Sequence, residues 1–330
     1  MSPSYAKGPR GTNRSSLILA PFLQGPGLPL ADVLSEEQVD AAMRAEGVGF
    51  GQSARAVYTP AITLWAFLSQ VLHAGELRSC TAAVARVGVL WAALGRQPCS
   101  SDTGEYCRAR AKLPEAVIRR LAVDVGHQLE ARIPADWLWF GRHVKIADGT
   151  MLSMPDTSAN QRAYPQSTAQ KPGLGFSILR MVVLLSLATA ALCGMAVAPF
   201  AGKETGETSL RCKSPEMVRK EIWAHWLTYN LVRKTIAQAA LAKGKQPRHL
   251  SFAGARQTIA ASWDWLSRTP HVLGVLADVQ FTAIASHAVG NRPDRVEPRA
   301  IKRRPKPHRL LQKPRGEARA ELLRSRGQRR

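Results

Sequence analysis

The chain has 330 residues, of which 45% are hydrophobic and 21% charged. That apolar share is ample for a folded core and excludes wholesale disorder. Lys and Arg number 46 against 24 Asp and Glu, a net charge of +22, which points to a polyanionic partner, nucleic acid before an acidic membrane surface. Arg overuse in a GC-rich genome is the plain alternative reading of the same number.

Residues 1–25 read as a loose arm. Met1 to Arg14 is polar and basic and lacks the apolar segment of a signal peptide. Residues 26–135 form a helical region. Thr59 can cap a helix that starts at Pro60 and carries Leu64, Phe67, Leu68, Val71 and Leu72 at helical spacing. Ser79 caps a second helix that stops before Gly95, and Ser101 or Asp102 opens a third. A fourth, Glu115 to Ala131, follows Pro114 with Val117, Leu121, Val125 and Leu129 on one stripe. Within the third, Arg108, Arg110 and Lys112 put three cations beside Tyr106, either a DNA-contacting face or an ordinary solvated one.

Residues 136–212 are mixed. His143 to Thr150 reads as a short buried strand ending on an acid, Asp148. Met181 to Ala201 is uncharged and long enough to cross a bilayer. Split at Ala188–Ala191 it instead gives two strands, Ile178–Leu187 and Cys193–Phe200, the reading preferred here because sheets covered on both faces carry such runs. Between the strands, Asn160 to Gly175 looks like a loop. Gly173-Leu174-Gly175 and Gly202 to Gly206 fail the spacing of phosphate loops. Five Cys are widely spaced without a CxxC pair, so they suggest neither a disulfide framework nor a zinc site.

Residues 213–290 are helical again. Ser214 and Pro215 start a long helix with Val218, Ile222, Trp226, Tyr229, Val232 and Ile236 as its stripe, stopped by Gly244. Further helices cover Phe252 to Ser267 and roughly Val272 to His287. Residues 291–330 are a basic, Pro/Arg-rich tail. Arg295 to Arg330 holds fourteen Lys and Arg against three Glu, a net of +11 and half of the total excess. Lys302, Arg303, Arg304 and Lys306 lie in its Pro-rich part, where an extended chain suits phosphate contacts.

Several of these segments together resemble one family. Asp148-Gly149-Thr150, Ser153-Met154-Pro155-Asp156-Thr157, Asn160-Gln161, Ala163-Tyr164-Pro165-Gln166 and Gln170 to Phe176 are similar to the DDE transposases of bacterial insertion sequences, in the insertion-sequence-four branch. Thr59-Pro60-Ala61, Leu64 to Gln70 and Arg108 to Pro114 resemble its N-terminal helical region, and Arg211 to Trp223 its C-terminal one. Val296 to Arg299 and Lys302 to Pro307 resemble its usual ending.

The resemblance implies a ribonuclease-H-like core in which two Asp and one Glu hold two divalent ions, Mg²⁺ or alternatively Mn²⁺, for cleavage and transfer of DNA strands. Asp148 matches the first acid and would be both catalytic residue and metal ligand. Arg108, Arg110, Lys112, Lys302, Arg303, Arg304 and Lys306 are the candidate DNA contacts. The implied partners are the terminal inverted repeats of an insertion sequence and an oligomer with intact transposase, in a bacterial cytoplasm near the nucleoid and not in a membrane.

The second Asp and the Glu are missing. Gly206 to Leu210, which belongs before the block that carries them, runs directly into Arg211-Cys212-Lys213, which belongs after it. Only about a dozen residues separate Phe200 from Ser214, too few for two more parallel strands with their crossovers. Glu216 and Glu221 suit a helix start and surface charge, Asp278 sits in a helical pattern, and Asp156 shapes a turn. The expected fold is mixed α+β and mainly helical, with a truncated three-strand ribonuclease-H-like core between two helical regions. The expected function is that of an internally deleted, catalytically inactive transposase. The alternative is a basic nucleic-acid-binding protein or transposition inhibitor without catalysis.

Overall fold

The computed structural model describes residues 15–23, 28–53, 55–97, 99–200, 208–269, 273–289 and 312–327. Its first element, α1 (Ser16–Leu19), runs into a 3-10 turn over Ala20–Phe22. Residues 15–23 are thus not the loose arm their position suggests. Ile18, Phe22 and Leu23 are buried, and the Phe22 carbonyl accepts from Lys234 Nζ at 2.9 Å and Thr235 Oγ1 at 3.1 Å. Four large apolar side chains from Leu17 to Phe22 hide too much surface to stay in water. The rest of the expected arm lies outside the described residues.

Side-chain caps set most helix starts. In α2 (Glu36–Ala45), Ser35 Oγ accepts from Gln38 N and the Gln38 side chain accepts from Ser35 N, a reciprocal pair that the search for apolar stripes passes over. Thr59 opens α3 (Pro60–Leu72) and Ser79 opens α4 (Cys80–Ala93), each hydroxyl accepting from the third residue on. Gly95, at φ +68°, ends α4 as a left-handed stop. α5 (Thr103–Lys112) and α6 (Glu115–Ala131) follow, with Val117, Leu121, Val125 and Leu129 all buried.

The strands are β1 (Lys145–Met154), β2 (Ser177–Ser186), β3 (Leu192–Pro199) and β4 (Thr208–Ser209). The short α7 (Ser158–Ala163) lies between β1 and β2, where a loop is expected; Thr157 caps it by accepting from Asn160 N. The segment that could have spanned a bilayer is the β2–β3 hairpin, and no helix among the described residues is long and apolar enough to cross a membrane.

The sheet order is β3-β2-β1-β4. β1, β2 and β3 are antiparallel, and β4 pairs parallel with β1, Leu152 opposite Thr208 and Ser153 opposite Ser209. A fourth strand does fit, contrary to the length argument. Its crossover is the whole segment 155–207, not the dozen residues after Phe200, and the strand itself is two residues long.

The C-terminal helices are α8 (Pro215–Ala242), α9 (Phe252–Arg268), α10 (Leu273–Ser286) and α11 (Arg315–Gly327). Ser214 Oγ accepts from Met217 N at the start of α8, and Val218, Ile222, Trp226, Val232 and Ile236 of the expected stripe are buried.

The chain divides into two units. One comprises Met1–Asp148, Val183–Met195 and Arg219–Val289. Its core joins α1 to α6, the β2–β3 turn, and α8 to α10 around Trp65, Phe67, Tyr106 and Trp263. Trp263 meets Phe22 edge-on at 5.4 Å and Trp65 at 5.6 Å. The other comprises Gly149–Val182, Ala196–Val218 and Gly290–Arg330. Within it Asn160 Nδ2 donates to Pro155 O and Cys212 O, and Thr157 Oγ1 donates to Lys213 O. Gln166 Oε1 accepts from Gly173 N and Gly175 N, and its amide donates to Gln170 O and Lys171 O. One glutamine therefore gives the loop from Tyr164 to Phe176 its shape.

Candidate nucleic-acid interface

α5 has only two buried residues, Tyr106 and Ala109, so one narrow stripe holds it to the core. The Tyr106 hydroxyl donates to Gln70 Oε1, and Gln70 Nε2 donates to Arg78 O at 3.0 Å. Burial pushes the Tyr106 hydroxyl far above its ordinary range, so it stays a neutral donor.

The three expected DNA-contacting cations of α5 do not lie on one face. Arg110 turns inward. Its Nη1 donates to Gln70 Oε1 at 3.1 Å, and its guanidinium lies 5.2 Å from the Phe67 ring and 5.5 Å from the Tyr106 ring. Residues two apart on a helix point to different sides, so Arg110 cannot share a face with Arg108 or Lys112. Arg108 and Lys112 are four apart and both exposed. Lys112 also lies in the last turn, where the helix dipole favours a cation.

The end of α5 is tied to α8 by residues the sequence reading missed. Lys220, buried, donates from Nζ to Ala111 O at 2.8 Å and covers a terminal carbonyl. Glu115, at the start of α6, accepts from Arg219 Nε at 2.9 Å and Trp223 Nε1 at 3.1 Å, and Arg119 stands over the Trp223 ring at 5.5 Å. Arg119 and Arg219 thus lie beside Glu115 at the α5–α6 junction, next to Lys112, while the Arg108 guanidinium reaches back toward Gly104. The only hint in sequence is that Arg219-Lys220 shortly precede Trp223 and Trp226 on the same helix.

Asp148 stands otherwise than the strand-end reading requires. It is the fourth residue of β1, exposed, and the strand continues six residues further. The extension has a plain cause: Leu152 and Met154 alternate inward and are buried, so burial favours the later half of the strand. Lys145, at the start of β1, pairs with Glu130 at 2.7 Å, and His143 Nδ1 lies 2.9 Å from the same carboxylate. Burial would raise the Glu130 carboxyl, but hydrogen bonds from Lys145, His143 and Ser186 outweigh it and hold the group low.

The other acids are used locally. Asp156 Oδ1 accepts from Gln161 Nε2 at 2.9 Å, which fits its turn-shaping reading. Asp278 lies in α10 and pairs with Lys243 at 2.6 Å. Glu216 is exposed. Glu221 is not the surface charge expected of it: it is buried, 3.8 Å from Arg78 Nη2 and 4.0 Å from His225. Burial pushes His225 down to about 4, so at neutral pH it is an uncharged neighbour of that pair.

Among the described residues no three His, Cys, Asp or Glu side chains come together to hold a metal ion. Mg²⁺ takes an all-oxygen shell with anchoring carboxylates, and the described acids do not supply it at Asp148. Lys302, Arg303, Arg304 and Lys306 lie outside the described residues. No family model, no curated protein and no solved structure matches the chain.

Proposed function

We propose that the chain is a DNA-binding protein descended from an insertion-sequence transposase, of the insertion-sequence-four branch, that lacks a working nuclease centre. The observation that carries the reading is the exposed pair Arg108 and Lys112, on a helix braced from behind by Gln70, Arg110 and Lys220. A rigid helix that presents cations one turn apart can straddle a phosphate backbone, and the net charge of +22 supplies the sequence-independent part of the affinity. A hairpin on one side of β1 and a parallel strand on the other support the ribonuclease-H-like reading of the sheet. β4 carries Thr208 and Ser209 in place of an acid, which supports the loss of catalysis. In a bacterial cell the protein would occupy inverted repeats at the nucleoid, alone or joined to an intact transposase, and block them.

Two assays test this. Duplex carrying an element's terminal inverted repeat is titrated by fluorescence anisotropy, with a scrambled duplex as control. Arg108→Ala with Lys112→Ala should weaken binding about tenfold or more, because two phosphates then lack a cation. Strand cleavage is then assayed with Mg²⁺ or Mn²⁺ against Asp148→Ala. No cleavage by either protein is expected, and cleavage that Asp148→Ala abolishes would overturn the inactive reading.

A further inference from the structure

A tight turn on the helical unit presents two aromatic rings to solvent. Trp139 and Arg142 form an antiparallel bridge, with Arg142 N donating to Trp139 O at 3.0 Å. The two residues between them, Phe140 at φ +48° and Gly141 at φ +72°, are both left-handed. That is the backbone of a two-residue hairpin turn, whose first central position favours Asn, Asp or Gly. A bulky Phe there is conformationally unfavourable. It is also 83% exposed, more than any other large hydrophobic residue described, and Trp139 beside it is 51% exposed. The rings meet edge to face at 4.9 Å.

The turn is held at both roots. On one side Trp137 is buried, its carbonyl accepts from Arg248 Nη1, and Asp136 O accepts from Gln246 Nε2. On the other, His143 and Lys145 are fastened to Glu130 of α6. Arg142 stands across the turn from Trp139, exposed and with no ion pair to any described residue. Strain, exposure and rigid support thus converge on two flat rings beside a cation. Other exposed apolar side chains are aliphatic, such as Val275, Val279 and Leu322, or single aromatic rings, Phe176 and Trp265, and among the described residues only this turn pairs two exposed rings.

We propose that the Trp139–Phe140 turn is a stacking platform for the bases of an unpaired nucleic-acid strand, with Arg142 meeting the adjoining phosphate. Aromatic faces accept any base, and a neighbouring cation tracks the backbone, which is the chemistry of single-strand binding. The choice of nucleic acid over a lipid surface follows the net charge of +22 and the edge-to-face rings, which offer flat faces and little aliphatic bulk. The inference rests on the nucleic-acid-binding reading only for the polyanionic class of its ligand; the site is separate from α5.

The test uses the full chain and three probes: a fluorescent strand of about twenty thymidines, a blunt duplex of similar length, and anionic phosphatidylglycerol vesicles. Phe140→Asn suits the left-handed turn, so its melting midpoint should equal or exceed that of the parent. It should bind the single strand about tenfold or more weakly, and the duplex within about twofold of the parent. Trp139→Ala should repeat the loss. The proposal is overturned if the parent does not bind the thymidine strand, if Phe140→Asn binds it unchanged, or if the ring-dependent binding is to vesicles alone. Duplex binding that fails while single-strand binding holds would count against the α5 reading and leave this platform standing.

Discussion

Gln70 decides where the cations of α5 can point. Its Oε1 accepts from the Tyr106 hydroxyl and from Arg110, and its amide holds the Arg78 carbonyl. Gln70→Ala would leave the buried hydroxyl without its acceptor and loosen Arg110 from the core. A loss of about 2–4 kcal/mol in urea unfolding is expected, the cost of stranding a buried donor and a charged one. An unchanged midpoint would mean that α5 is held by packing alone. That Arg110 could not share a face with Arg108 and Lys112 was legible, because residues two apart never share a helix face. That Gln70, forty positions earlier, supplies its acceptor was not, since nothing local to either residue marks the pairing. Exposure of Asp148 was equally hidden, because Val144 and Ile146 alternate as they would in a buried strand.

Among the elements, α6 shows how packing reverses a local preference. Gly126 lies in its middle, where Ala is ordinarily better by about 1 kcal/mol. A Cβ there would come within 2.4 Å of Leu192 O and 3.0 Å of Asn230 Nδ2. The missing side chain lets the first residue of β3 lie against the helix. Asn230 of α8 clamps it there, accepting from Leu192 N and donating to Leu192 O and Ala122 O. Gly126→Ala should therefore destabilise by roughly 1–3 kcal/mol, as overpacking does. A thermal melt that rises would show that helix propensity outweighs the close approach. Element starts were the most legible part of this fold, since Thr59, Ser79, Ser214 and Pro60 act within one turn. α2 and α7 also carry cap residues but lack a long apolar stripe, which is why periodicity passes over them.

At the scale of the molecule, charge and core are separable. Among the described residues the core of the helical unit draws none from beyond Ile284, whereas half of the net charge lies between Arg295 and Arg330. Deleting residues 291–330 should leave the helical circular-dichroism melt of that unit intact. It should also flatten the dependence of duplex affinity on salt, by roughly 0.9 in the log–log slope for each phosphate that the tail neutralises. An unchanged slope would assign all phosphate binding to the folded part.

By itself the sequence determined the mainly helical α+β class, the hairpin, the ends of most helices and the basic character. Each of these depends on a period of two or of 3.6, on a cap, or on composition, and each is a short-range property. Tertiary structure alone decided that Leu17 to Leu23 enter the core, that a two-residue β4 pairs with β1 across more than fifty residues, and that Arg110 and Glu221 turn inward. It also decided that Phe140, an apolar residue by composition, faces water on a strained turn. Those outcomes depend on partners distant in the chain, and burial is settled only when the partners meet.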